Sequence, residues 1–454
     1  MLSNLKQIWR LGLPISLTMV IQMIIVMVDS AFAGYISYID LAAISLAGGI
    51  FHIGLLLLIG IGIGASVKAG QASGAGDSQA MLNCFRQGTL ACLSLGLLLA
   101  ILLLNSTSLM LFLDQDPAVV ERAERYLSWL AWTLPIQALL VLFRSYFAVI
   151  DRPWDSVMPV CLALLLNTFL DYCLATGELG FPALGISGIG IASLISNLFL
   201  LLLMLRNMGW STALAVFNFR HAQVWQDHGM RRLLIISLPI SLTLTVEEAF
   251  FAGSIFLTGS LGSAEQAAHQ ILLNTVGTSF LFNTGLAIAC SILIGKAVGA
   301  QGFERIMPIV KAGWILAQAF TIPFALILLL FGDQWTGLFL DSTLASNEAT
   351  IGFVNSVLII AIAMLLFDTI WLITIESLHG LLDTTYPAIA TLISYWLLGG
   401  PLAYWAIQNY PDAFTAIWVV MLLAAILLTL LVYWRLHVKV ADLNEDIIPS
   451  PANN

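Results

Sequence analysis

Six carboxyl side chains interrupt long apolar stretches of this 454-residue chain, and their type and surroundings suit them for binding ions, protons or cationic ligands. They are Asp29, Asp171, Glu247, Glu248, Asp368 and Glu376. An acid among apolar residues is costly, so a functional role is the default interpretation, and neutralisation by packing is the alternative. Glu247 and Glu248 are about 100° apart on a helix and cannot both point at one spot, so we favour Glu247. The roles of Glu248 and Glu376 stay open.

Neutral polar residues accompany two of these acids at helical spacing. Gln22 precedes Asp29 by seven residues, which is nearly two turns, so both can face one cavity. Asn167 and Asp171 are four residues apart and therefore share a helix face. The pair offers an amide oxygen beside a carboxylate, a donor set for a cation; the alternative is a hydrogen bond that only joins helices.

The elements that must position these residues are membrane helices. Apolar residues make up 60% of the chain and charged residues 9%, against roughly a quarter charged in soluble domains. Continuous apolar runs of about 20 residues predict transmembrane helices rather than a barrel. Twelve such runs lie at about 11–34, 45–69, 88–106, 126–149, 157–175, 185–206, 234–258, 269–294, 310–331, 352–376, 386–407 and 413–435.

The chain is duplicated. Its hexapeptide at 13–18 recurs unchanged at 238–243, and the sequence after each copy aligns without a gap for about sixty residues. In that alignment Gln22 falls on Glu247 and Asp29 on Ser254, so the frame repeats while the polar residues differ. Two similar halves with different polar contents suit a transporter that exposes a site to alternate sides of the membrane.

Lysine and arginine predict the orientation. With the N-terminus inside, all of them except Arg122 and Arg125 fall on the cytoplasmic side, Arg144 included, so both termini are cytoplasmic. The predicted organisation is an N-lobe of helices 1–6 (1–206), a cytoplasmic linker (207–231), a C-lobe of helices 7–12 (232–435) and a disordered cytoplasmic tail (436–454). The first run resembles a cleavable signal peptide, but the same frame recurs at 238, so we expect it to be retained.

Other classes of function find little support in the residues. The five cysteines and six histidines are dispersed without the spacing of a disulfide framework or a zinc site. No nucleophile elbow, P-loop or zinc-protease motif occurs, so no enzyme activity is predicted. The net charge of -9 comes without a basic surface for nucleic acid. We expect no cofactor, membrane lipids as surroundings, and a monomer.

Five segments together make the chain resemble the multidrug and toxic compound extrusion (MATE) family over essentially its whole length, with mixed NorM-type and DinF-type features. They are Leu13-Pro14-Ile15, the sequence Val28 to Gly34 around Asp29, Ala267-Ala268-His269-Gln270, Leu378 to Thr384, and Ser394 to Gly399. The resemblance implies an all-α membrane protein of twelve helices in two six-helix lobes that form a V. It also implies export of organic cations or amphipathic drugs against Na+ or H+ flow in the cell inner membrane.

The resemblance also assigns roles to residues. Asp29 is similar to the family's first-helix aspartate and Pro14 to the proline at which that helix bends. Asn167, Asp171 and Ser193 match the N-lobe cation site, where Na+ could bind together with Asp29. Glu247 and Asp368 match C-lobe acids that serve a cation or the substrate, while Gln22, Glu248 and Glu376 are further candidates for lining the cavity.

The expected mechanism is antiport by competition between a cation and a drug at these acids. Carboxylate, amide and hydroxyl oxygens suit Na+, while two nearby carboxylates also suit H+, so either ion could drive the cycle. The alternative is a lipid-linked oligosaccharide flippase of the same superfamily, which would need a cationic cavity. A membrane enzyme or receptor would need a constellation of residues that the sequence lacks.

Overall fold

Long helices dominate the computed structural model, which describes residues 1–112, 114–219, 229–340, 344 and 347–445. In this part of the chain there is no strand, as predicted. The α-helices are α1 (Leu2–Ile36), α2 (Tyr38–Gly74), α3 (Ser78–Leu104), α4 (Thr107–Phe112), α5 (Pro117–Leu130), α6 (Thr133–Val149), α7 (Val157–Thr176), α8 (Ile186–Met208), α9 (Trp210–Val216), α10 (Gly229–Gly259), α11 (Ser263–Gly299), α12 (Ile306–Leu330), α13 (Gly332–Thr336), α14 (Glu348–Gly380), α15 (Thr385–Thr391), α16 (Gly400–Asn409) and α17 (Ala413–Glu445).

Ten helices in the described residues are long and apolar enough to cross a membrane. The pair α5 and α6, which is bent by 50° at the break between Leu130 and Thr133, passes the same test of length and composition when the two helices are taken as one span. The predicted span 386–407 is helical as well, but it is divided into α15, a π-helical segment Leu392–Gly399, and α16. The all-α membrane fold is therefore confirmed, and each of the twelve predicted runs is mostly helical.

The chain forms two compact units whose limits lie inside helices. One unit is Leu17–Ser241, and the other joins Met1–Ser16 to the residues from Leu242 onward. The two crossing points follow shortly after Pro14 in α1 and Pro239 in α10. A proline inside a helix removes one backbone hydrogen bond and favours a bend there. The first sixteen residues of the predicted N-lobe thus pack with the later unit, and the start of α10 packs with the earlier one.

Equivalent serines of the repeated hexapeptide make equivalent contacts, each within its own unit. The Ser16 hydroxyl donates to the carbonyl oxygen of Phe282 at 2.6 Å, and the Ser241 hydroxyl donates to that of Leu57 at 2.7 Å. Each serine lies over a glycine, Gly285 or Gly60, where even a Cβ would meet the serine backbone. Small residues let helix backbones approach closely in membranes. The unchanged hexapeptide therefore preserves one packing motif twice.

Two predicted irregular segments are partly helical. The last helix continues to Glu445, which corrects the predicted start of a disordered tail at 436. Leu436 and Val440 are one turn apart and both buried, so this turn of helix packs its apolar side instead of fraying. The predicted linker contains α9, whose Ala213 and Val216 are buried. Residues 220–228 and 446–454 lie outside the described residues.

Candidate functional site

A buried polar group in the unit Leu17–Ser241 brings together the four residues predicted for the N-lobe cation site. Asp29 comes from α1, Asn167 and Asp171 from α7, and Ser193 from α8. The Ser193 hydroxyl donates to Oδ2 of Asp29 at 2.7 Å. Asn167 and Asp171 are close enough to Asp29 to interact with its carboxyl. All four side chains are at most 5% exposed, so three helices place two carboxyls, one amide and one hydroxyl in a single apolar surrounding.

Most of the oxygens in this group have no hydrogen-bond partner in the described protein. They are Oδ1 of Asp29, both carboxyl oxygens of Asp171 and Oδ1 of Asn167. Buried polar atoms are normally paired, so such a set is suited to a cation or to protons. No group of three His, Cys, Asp or Glu in the described residues could hold a metal ion. A site for Na+ would therefore need the neutral oxygens of Asn167 and Ser193 as well as the two carboxyls.

Tyr126 of α5 is a further member of this group that the sequence did not indicate. Its side chain is buried, approaches Ser193, and lies near the charges of Asp29 and Asp171. The phenol adds a hydrogen-bonding group beside the two carboxyls. The only signal in the sequence is a single tyrosine in the amphipathic α5 segment, and that signal is weak.

Gln22 pairs with an arginine rather than with Asp29. The Arg144 guanidinium on α6 donates from Nη1 to Oε1 of Gln22 at 2.7 Å. The sequence assigned Arg144 to the cytoplasmic side, but Gln22 lies at the middle of the predicted span 11–34. The long arginine side chain carries its charge inward from the end of α6, so a helix position alone misplaces the charge.

The acids of the other unit also lie on two helices. Glu247 of α10 and Asp368 of α14 are 7% and 3% exposed, and each carboxyl lies near enough to the other to interact. The Trp371 indole donates from Nε1 to Oδ1 of Asp368 at 3.0 Å. Glu248 is exposed on the next position of α10, which agrees with the 100° rotation between neighbours and leaves Glu247 as the inward acid.

A tyrosine from the π-helical segment adjoins this acid pair. Tyr395 is fully buried, lies near Glu247 and Asp368, and its ring stacks on Phe250 of α10 with centroids 4.8 Å apart. Its hydroxyl has no hydrogen-bond partner among the described residues. π-Helical turns recur at functional sites, where one extra residue re-aims side chains. Tyr395 is thus a second residue that the sequence did not single out for chemistry.

Two further polar pairs are buried in this unit. Glu376 and His379 on α14 lie 3.1 Å apart, from Oε1 to Nδ1, and both are buried. Ser254, which occupies the repeat position of Asp29, lies 2.8 Å from Nε2 of the buried His269. The position that carries an acid in the first repeat therefore carries a serine and histidine pair in the second.

Pro14, the residue at which the first helix is expected to bend, is buried. It lies inside α1, fifteen residues before Asp29.

Comparison with known proteins decides the family. A model of the MatE family matches residues 14–173 and again 239–405, one match for each repeat. The chain belongs to the MatE family. Members of this family are membrane transporters, not enzymes, and the double match coincides with the duplication read from the hexapeptides.

Curated relatives align with this MatE protein along nearly the whole length of both chains. A probable multidrug resistance protein NorM of Rhizobium meliloti is 29% identical over 431 residues, which cover 94% of this chain and 91% of the relative. Another protein of that name from Pseudomonas putida is 26% identical over 439 residues, covering 96% and 95%. The chain is therefore similar to these proteins from end to end.

Solved structures agree in fold. A multidrug resistance MATE family transporter in an outward-facing conformation has a TM-score of 0.87 at 20% identity, covering 97% of this chain and 96% of the other. The eukaryotic MATE transporter AtDTX14 has a TM-score of 0.85 at 16% identity, covering 98% and 99%. At these identities the likeness shows the shared fold of this multi-pass membrane protein.

Proposed function

We propose that this MatE protein is a secondary active multidrug efflux transporter that exports organic cations or amphipathic drugs by antiport with Na+ or H+. The observation that carries the proposal is the buried group of Asp29, Asn167, Asp171 and Ser193, whose oxygens are largely without partners. The names of the NorM relatives support the same activity. The membrane we propose is the cell inner membrane, with both termini in the cytoplasm.

The exchange would operate through competition for negative charge. Two carboxyls close together in an apolar surrounding cannot both stay ionised without a cation nearby. A coupling ion and a cationic drug can each provide that charge, so arrival of one favours departure of the other. A ligand can drive a transport cycle only if it binds one conformation of the transporter more tightly than another.

The donor set favours Na+ as the coupling ion. A proton needs only a carboxyl oxygen, whereas Na+ prefers several oxygen ligands, and the group supplies carboxyl, amide and hydroxyl oxygens. Tyr126 adds one more oxygen beside them. Glu247 and Asp368 would form a second site, for a cation or for the substrate, in the other unit.

Helix α1 would transmit the exchange. Asp29 belongs to the unit Leu17–Ser241, while Pro14 and the preceding turns pack with the other unit. A missing backbone hydrogen bond at Pro14 makes bending there less costly than elsewhere in the helix. Cation binding at Asp29 would therefore change the course of α1 at Pro14.

The test is ethidium efflux from membrane vesicles that contain the protein. A Na+ gradient and a pH gradient are imposed separately, and efflux is followed by fluorescence. Efflux driven by either gradient supports the antiport, and efflux driven by neither would contradict it. Vesicles with the Asp29→Asn variant provide the baseline without exchange.

A further inference from the structure

Among the described residues, an arginine charge without an acidic partner lies within the membrane-spanning part of the unit Leu17–Ser241. Among the described residues, Gln22 is the hydrogen-bond partner of the Arg144 guanidinium, and none of the ion pairs includes Arg144. Both side chains are partly exposed. A charged group at this depth is costly and is a candidate for function by default.

The duplication relates this pair to the acid pair of the other unit. Gln22 is the repeat counterpart of Glu247. Arg144 lies on the fourth predicted span of the first repeat, and Asp368 lies on the fourth predicted span of the second. One repeat thus pairs an amide with a cation where the other pairs two acids.

The chemistry that this pair offers to a ligand is mainly hydrogen-bond donation. Oε1 of Gln22 accepts from Arg144, which leaves the amide N–H groups of Gln22 and the remaining guanidinium N–H groups for other acceptors. A guanidinium matches the two oxygens of a carboxylate with parallel hydrogen bonds.

We propose that Arg144 and Gln22 form a carboxylate-binding subsite, so that the exported substrates include zwitterions that carry a carboxylate. The inference rests on the proposed efflux function and extends its substrate class. Asp29 lies on the same face of α1, seven residues or about 10 Å beyond Gln22 by helical rise. The face therefore presents a donor site at one level and an acid at another, which suits an amphipathic molecule with opposite charges at its two ends.

The experiment compares two dyes that differ in one ester. Rhodamine 123 is a cation with a methyl ester, and rhodamine 110 carries the free carboxylate in its place. Efflux of each dye is measured in cells that express wild type, Arg144→Gln, Arg144→Lys or Gln22→Leu at equal protein levels. Arg206→Gln, which removes an exposed charge at the end of α8, is the matched control.

We expect wild type and the Arg206→Gln control to export both dyes. Arg144→Gln should lower rhodamine 110 efflux about tenfold or more, the usual effect of losing a hydrogen bond between charged groups, while rhodamine 123 efflux stays within about twofold. Arg144→Lys should restore part of the rhodamine 110 efflux, and Gln22→Leu should lower it selectively.

Three results would overturn the assignment. Equal loss of both dyes in the Arg144 and Gln22 variants would make the pair structural, and an unchanged ratio of the two dyes would remove its role in selection. Wild-type export of rhodamine 123 without rhodamine 110 would exclude the carboxylate class while leaving the efflux function intact. Export of neither dye by wild type would count against the proposed function itself.

Discussion

At the scale of single residues, Asp29 is the position where cation and substrate are proposed to exchange. Its carboxyl accepts from Ser193 through one oxygen, and the other oxygen has no hydrogen-bond partner among the described residues. Because the side chain is buried and comes from the helix that runs through both compact units, its charge can affect both ligand binding and the path of α1. Removing the charge while keeping the shape separates these roles from packing.

Asp29→Asn should abolish drug efflux without loss of folded protein. An asparagine keeps the size and can still accept from the Ser193 hydroxyl, but it cannot carry the charge that cation and drug exchange. The measurement is ethidium accumulation in cells, with protein level followed in parallel. Asp116→Asn is the matched control, because Asp116 caps α5 through Ala118 N and asparagine caps equally well. Wild-type efflux by Asp29→Asn at normal expression would refute the role.

The sequence predicted the polar residues better than it predicted their partners. Gln22, Asp29, Asn167 and Asp171 stand out because polar residues are rare in apolar runs. Partners such as Tyr126 and Arg144 depend on how helices are rotated against each other and on side-chain length, and neither appears in a single helix's periodicity. The same limit applies to Gln22. Helical spacing places it on the same face of α1 as Asp29, but its hydrogen bond is with Arg144.

At the scale of helices, each of the two hexapeptide serines packs closely against a glycine of a facing helix. Ser16 packs on Gly285 of α11, and Ser241 packs on Gly60 of α2. A side chain at either glycine would have to push the facing helix away, since the nearest atoms include backbone. Neither contact was foreseen from the repeat, which shows a conserved frame but not which helix each serine faces.

Gly285→Ala and Gly60→Ala should each destabilise the protein by about 1–3 kcal/mol, the usual cost of overpacking. The measurement is the melting temperature of the purified protein in detergent. The chain offers a matched control on each helix: Gly277→Ala on α11 and Gly48→Ala on α2, where an added Cβ meets nothing within 4 Å. Equal melting temperatures for the test and control variants would show that the close approach does not contribute to stability.

At the scale of the whole molecule, two repeats share a frame but differ in their acids. One unit holds Asp29 and Asp171 together, and the other holds Glu247 and Asp368. Composition and repeats were enough to predict the fold class, the spans and the duplication, because these depend on hydrophobicity over about 20 residues. The crossing of chain segments between units was not predictable, since it depends on which helices the turns before Pro14 and Pro239 contact.

If the group around Asp29 is the coupling site, Asp171→Asn should weaken the ion dependence of drug release more than Glu247→Gln does. Both changes remove one buried carboxyl charge, so each serves as the control for the other. The measurement is the ion concentration at which half of a bound drug is released, and we expect a shift of about tenfold or more for Asp171→Asn. Equal shifts, or a shift only in Glu247→Gln, would place coupling in the other unit.

We propose that a cation bound by Asp29, Asn167, Asp171 and Ser193 displaces the drug. Release of bound ethidium from the purified protein at constant pH tests this most directly. We predict that NaCl releases ethidium and choline chloride does not. Asn167→Leu should weaken the Na+ response while leaving ethidium binding largely intact, because it removes an oxygen ligand but no charge. Release by a pH step alone, with no response to Na+, would contradict Na+ coupling and make the protein an H+ antiporter.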